Sequence, residues 1–170
     1  MTTRADLVAE WLHEKGVRYA YGVIGGGNVT LWDAIARRKA TTLVCCHHEQ
    51  AAGMAATYHC RTNRNLSAIL LCTTGAGSTN AITAVMAAWM DSVPLFVLAG
   101  NEASHFPPHE RGMGVQGFYS AEFVAPCTKF SSRISAESPL ERVLDRAWNV
   151  AQTRRPGPVW VEIPQDLQRT

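Results

Sequence analysis

The sequence predicts an α/β fold, a doubly wound and mainly parallel six-stranded sheet with helices on both faces. Three observations carry this expectation. Short apolar runs recur at residues 42–46, 66–72, 94–99 and 159–163, without the polar alternation of a half-exposed sheet. Most are followed by segments with apolar residues at helical spacing. Right-handed crossovers between parallel strands then distribute those helices over both faces.

Residues 4–15 place Leu7, Val8, Trp11 and Leu12 on one helical stripe, and Gly16 follows as a stop. A strand over 17–23 leads into the turn Ile24-Gly25-Gly26-Gly27-Asn28 and a helix over 29–38. A strand over 42–46 precedes a small-residue helix over about 49–61. A strand over 66–72 precedes Gly75-Ala76-Gly77, which opens a helix carrying Ile82, Val85, Met86, Trp89 and Met90 on one face. That face suits a core or a second subunit equally. A strand over 94–99 ends in residues 100–127, rich in Gly, Pro and His and without a period. The stretch exceeds ordinary loop length, so it is functional or contains short helices. A strand over 129–134, a helix over 139–153 and a strand over 159–163 complete the chain, read as one domain over 1–170. Ligands in such folds sit beyond the carboxyl ends of the strands, here the loops at 24–28, 47–50, 73–78 and 100–118.

Composition removes several function classes. With 170 residues, 46% hydrophobic, the chain can bury a core without disulfide or metal staples. A net charge of +2, with no basic cluster beyond Arg154-Arg155, gives no reason to expect nucleic acid or an anionic membrane surface. The longest apolar run, at 93–100, is far shorter than the ~20 residues of a membrane helix. Five cysteines without CxxC spacing read as reduced, mostly buried thiols, and with no signal-peptide core this points to the cytoplasm. The histidines, His47, His48, His59, His105 and His109 among them, lack ligand spacing, so no metal site is expected.

Glu49 is the first candidate for chemistry. It stands at a helix N-terminus, where the dipole favours negative charge, and Ala51, Ala52, Gly53, Ala55 and Ala56 remove bulk around it. Close approach of a ligand and tight helix packing explain those small residues equally well. Thr73-Thr74-Gly75-Ala76-Gly77-Ser78-Thr79-Asn80 is a Gly-rich strand-to-helix loop whose amides could meet an anion, although it matches neither phosphate fingerprint. Gly25-Gly26-Gly27 either approach a ligand or simply permit positive φ.

Taken in order, the segments YGVIGGGNVTLWDAI, HHEQAAGMAATYHCR, LCTTGAGSTNAITAVMAAWMDSVPLFVLAGN, CTKFSSRI and RRPGPVWVEIPQDLQ are much more specific than any one of them. Together they resemble the N-terminal, pyrimidine-binding domain of acetolactate synthases and related thiamine-diphosphate enzymes, over about residues 4–168. The resemblance implies the thiamine-diphosphate-binding fold. It also implies that Glu49 is the glutamate that hydrogen-bonds the aminopyrimidine and promotes its imino tautomer, for attack on a 2-keto acid. Gly25, Gly26, Gly27, Thr73, Thr74, Gly75 and Asn80 are carried over as cofactor-binding positions, and Gln116 as the glutamine facing substrate. Thr73 and Thr74 stand where the decarboxylase branches place histidines, which favours a carboligase-like relative. Gln165 replaces the lysine common in acetolactate synthases, and HFPPHERGMG departs from the usual loop.

The family's GDG motif for diphosphate and Mg2+ does not occur here. The chain is therefore expected to supply half of a site. The expected partner is a separate subunit carrying the diphosphate-binding domain, in a hetero-oligomer such as a heterotetramer. A non-catalytic regulatory or scaffold module, or an excised domain of a larger enzyme, is the alternative. The presence of Glu49 argues against a scaffold, which has no chemical need for that carboxyl.

Overall fold

Six short strands, all parallel, form one sheet in the computed structural model, which describes residues 2–106 and 114–170. The strands are β1 (Tyr19–Gly22), β2 (Thr42–Cys45), β3 (Ala68–Cys72), β4 (Phe96–Asn101), β5 (Phe130–Arg133) and β6 (Val159–Pro164). Their order across the sheet is β2-β1-β3-β4-β6-β5. The helices are α1 (Arg4–Glu14), α2 (Val29–Arg38), α3 (Glu49–Asn63), α4 (Ala76–Asn80), α5 (Ile82–Asp91), α6 (Ser120–Phe123) and α7 (Leu140–Gln152). This is the doubly wound arrangement that the apolar runs predict. From β1 the chain moves outward to β2, then returns to place β3 on the other side of β1. The reversal opens a crevice between the β1 and β3 ends, the usual ligand position in such sheets.

The central strands β3, β4 and β6 are buried throughout, as strands covered on both faces must be. On one face Trp11 of α1 packs 5.4 Å from Phe96 and edge-on to Trp148 of α7, and its indole N–H donates to Asp145 at 3.0 Å. The start of α1 is fixed by a capping box, in which the Thr3 hydroxyl accepts from the Asp6 amide and the Asp6 carboxyl accepts from the Thr3 amide. On the other face α3 lies against α5, and a Cβ on Gly53 would come within 2.5 Å of the Ala84 Cβ. At Gly53, then, tight helix packing is what the small residue serves.

Three details differ from the sequence expectation. The helix expected after Gly75 is two helices that meet at Ala81. Its first turn is held by side chains on the backbone, with the Ser78 hydroxyl on Thr73 O at 2.9 Å and the Thr79 hydroxyl on Ala76 O at 3.2 Å. β2 is an edge strand and only partly covered, so Cys45 is exposed and Cys46 half-buried, while Cys60 and Cys72 are buried as expected. On α5, Val85 turns into the core and Met86, Trp89 and Met90 stay exposed. The aperiodic stretch does contain short helices, α6 and a 3-10 turn at Ala125–Cys127. Among the described residues, no helix is long and apolar enough to cross a membrane.

Candidate functional site

The β1–α2 turn and the β3–α4 loop meet at the crevice. Asn28, fully buried, holds the first: its side-chain carbonyl accepts from Gly25 N at 2.9 Å and its amide donates to Val23 O at 3.1 Å. The Thr73 hydroxyl accepts from Gly27 N at 3.1 Å and joins the two loops. None of Gly25, Gly26 and Gly27 has positive φ. Close approach explains two of them. A Cβ on Gly25 would lie 2.5 Å from the Thr73 hydroxyl, and one on Gly27 would lie 2.2 Å from that of Thr74. Gly75 is the position that needs glycine conformationally, at φ 62°, and a Cβ there would also strike Gln116 at 2.5 Å.

Glu49 is the first residue of α3 and is 7% exposed. His48 caps the helix, its ring nitrogen accepting from Gln50 N at 3.1 Å. One Glu49 oxygen, Oε2, accepts from the Asn80 side-chain amide at 3.0 Å. The other, Oε1, accepts from no described donor and faces Gly77, where a Cβ would stand 3.1 Å away. That same Cβ would be 2.5 Å from the Thr73 methyl. Glu49, Gly77, Thr73 and Gly25 thus form one continuous line from α3 to the glycine turn. Burial pushes the neighbouring Cys72 thiol well up, with Glu49 adding to the effect, so that sulfur is not a nucleophile.

Beyond Thr73 the crevice widens into a pocket of about 380 Å³ lined by Gly25, Gly26, Gly27, Thr73, Thr74, Glu102, Val115, Gln116 and Gln165. The candidate cofactor and substrate positions taken from the resemblance therefore lie together at this crevice. The glycine turn, Thr73, Thr74 and Gln116 line the pocket, Gly75 lies under Gln116, and Glu49 with Asn80 sits behind Thr73. Glu102 went unrecognised as a site residue; its only signal is its position directly after β4. His109 and most of HFPPHERGMG lie outside the described residues. Among those described, no group of three or more His, Cys, Asp or Glu could hold a metal ion.

A buried carboxyl with one oxygen unused by any described donor thus stands beside a glycine-lined crevice at the switch point of a parallel sheet, the position where such folds bind ligands. The chain belongs to the thiamine pyrophosphate enzymes, matching their N-terminal TPP binding domain over residues 2–118. It is 30% identical over 169 residues to the acetolactate synthase isozyme 1 large subunit of Escherichia coli (strain K12), covering 98% of this chain and 29% of that protein. Against the acetolactate synthase large subunit of Lactococcus lactis subsp. lactis (strain IL1403), identity is 32%, with 98% and 28% covered. For isozyme 3 of the Escherichia coli enzyme it is 33%, with the same coverage, 98% and 28%. The chain spans less than a third of the length of each of these relatives.

Proposed function

We propose that this chain is the pyrimidine-binding half of a thiamine-diphosphate enzyme that acts on 2-keto acids by decarboxylation with carboligation. The observation that carries the reading is the buried Glu49 carboxyl, fixed through Oε2 by Asn80 and with Oε1 unused by any described donor. Such an oxygen is placed to accept an N–H from the aminopyrimidine ring, and Gly77 leaves the space for close approach. When bound, thiamine diphosphate supplies the electron sink that 2-keto acid chemistry needs. The chain's own work is orientation and proton control. Asn80 holds the Glu49 carboxyl, Thr73 ties the glycine turn to the β3 loop, and Gln116 faces the reacting end.

A diphosphate needs a counter-charge, which magnesium supplies. On this reading, diphosphate and metal belong to a partner bearing the diphosphate-binding domain, as a separate subunit in a hetero-oligomer. The relatives' additional length supports the need for such a second half. The test is a tagged pull-down from the native host, followed by turnover of the purified complex with a 2-keto acid, thiamine diphosphate and Mg2+. A stoichiometric partner is expected. Glu49→Gln should lower kcat by about 10²–10⁴-fold, the range of a general acid–base group. Unchanged turnover in that variant overturns the catalytic assignment, and recovery of the chain alone overturns the split subunit.

A further inference from the structure

Glu102 is the first residue after β4, half-buried, and its carboxyl borders the pocket. Its amide is tied to Asn101 Oδ1 at 2.9 Å, so the backbone position is fixed by the strand end. The carboxyl itself is lightly held. Oε1 accepts from Val115 N at 3.2 Å, and Oε2 accepts from the Gln165 amide at 3.4 Å, both long for a carboxyl acceptor. A carboxylate offers about four acceptor directions, so the described donors use only part of this one's capacity. The other described side chains around it, Thr73, Thr74, Gln116, Gln165 and Val115, carry no formal charge. An anionic ligand would meet one negative group and no described cation.

We propose that Glu102 is a specificity-determining residue: the pocket takes a neutral carbonyl compound bearing a hydroxyl group, and Glu102 both accepts that hydroxyl and repels carboxylates. The inference rests on the pocket being the reacting end of the proposed site, and it names the acceptor rather than the keto-acid donor. Two like charges about 5 Å apart at an effective dielectric near 20 repel strongly enough to weaken binding more than tenfold. An O–H directed at an under-used carboxylate is in turn a charge-assisted bond, stronger than one to a neutral acceptor.

Hydroxyacetone and pyruvate are matched probes, alike but for the exchange of CH2OH for a carboxylate. The experiment titrates each into the whole nitrogen-15-labelled chain and follows amide resonances of Gly25, Gly26 and Gln116. Hydroxyacetone should move these resonances and bind about tenfold or more tightly than pyruvate. Glu102→Gln should bring the two within about threefold, chiefly because pyruvate gains, while Glu102→Asp, which keeps the charge, should preserve the preference. Equal or tighter pyruvate binding, a preference that survives Glu102→Gln, or no response to either probe overturns the proposal. The readout requires no turnover. Failure of the Glu49 test therefore leaves this binding ratio standing, and loss of the ratio leaves the role of Glu49 standing.

Discussion

Glu162 lies at the centre of β6, fully buried, and four donors converge on it. Oε1 accepts from Arg133 at 2.5 Å and from the Asn101 amide at 2.8 Å, while Oε2 accepts from the Ser120 hydroxyl at 2.5 Å and from Ala121 N at 3.1 Å. Arg133, 16% exposed, also stacks over the Tyr119 ring at 4.3 Å. Replacing Glu162 with Leu leaves a nearly buried guanidinium without its carboxylate, a loss of about 3–5 kcal/mol. At about 2–4 °C per kcal/mol for a chain of this size, Tm should fall by roughly 6–20 °C. Asn101 still reaches Phe118 O, while the Ser120 hydroxyl and Ala121 N lose their acceptor in addition to the stranded charge. Adding Arg133→Met to Glu162→Leu removes the stranded charge and should recover about 2 kcal/mol or more relative to the single variant. Urea unfolding followed by tryptophan fluorescence measures both variants. A single variant within about 1 kcal/mol of the parent, or a double variant no better than the single, refutes the stranded-charge reasoning.

Gly77→Ala should cost about 1–3 kcal/mol through crowding of Thr73 and should also displace the Glu49 carboxyl. Thermal unfolding and calorimetric titration of thiamine diphosphate into the purified complex check the two effects. Asp6 is held down to about 2 from 3.8, first by the Thr3 amide and then by Arg37. Its contribution is fully present above pH 3.8 and is lost as pH falls towards about 2, so Asp6→Asn should flatten that acid limb of a stability–pH curve. Cys45, exposed on the edge strand, should react promptly with a thiol reagent at neutral pH, counted by absorbance. Burial pushes the Cys60 thiol up to about 11 and the Cys72 thiol well up, so both should stay silent until the chain unfolds.

The central strands were legible because parallel strands buried on both faces must be apolar at every position, as at Ala68–Cys72. Glu49 stood out as a candidate because its position at a strand-to-helix junction agreed with the motif order around it, and the structure buries its carboxyl beside the crevice. What escaped depends on contacts distant in sequence. Glu102 enters the pocket only because residues 114–116 fold back over it, and no local pattern announces that. The pairing of Glu162 with Arg133 was likewise hidden, since a single charge in Val-Trp-Val-Glu-Ile gives no sign of its partner. The break at Ala81 escaped because the apolar spacing on either side is compatible with one helix. The exposure of Cys45 follows from β2 being an edge, which is a property of strand order and not of the strand.

The matched family pattern ends at residue 118, yet the support of the site does not. Gln168, fully buried beyond β6, donates from one amide to Gly27 O at 2.7 Å and to Ile163 O at 2.8 Å. It thereby clamps the glycine turn to the far side of the sheet. Gly100 accommodates the same carbonyl from below, since a Cβ there would stand 1.8 Å from Gly27 O. Glu162 holds Ser120 and Ala121, and Asn101 holds Phe118 O, which sets the segment that carries Gln116 over Gly75. A chain cut after residue 118 would keep every side chain named in the site except Gln165, but it would lose the groups that fix the positions of Gly27 and Gln116. Preorganised geometry, not the inventory of side chains, is what a binding site requires. The last two strands therefore belong to the structural unit that fixes the crevice, consistent with relatives that align over 98% of the chain rather than over its first two thirds.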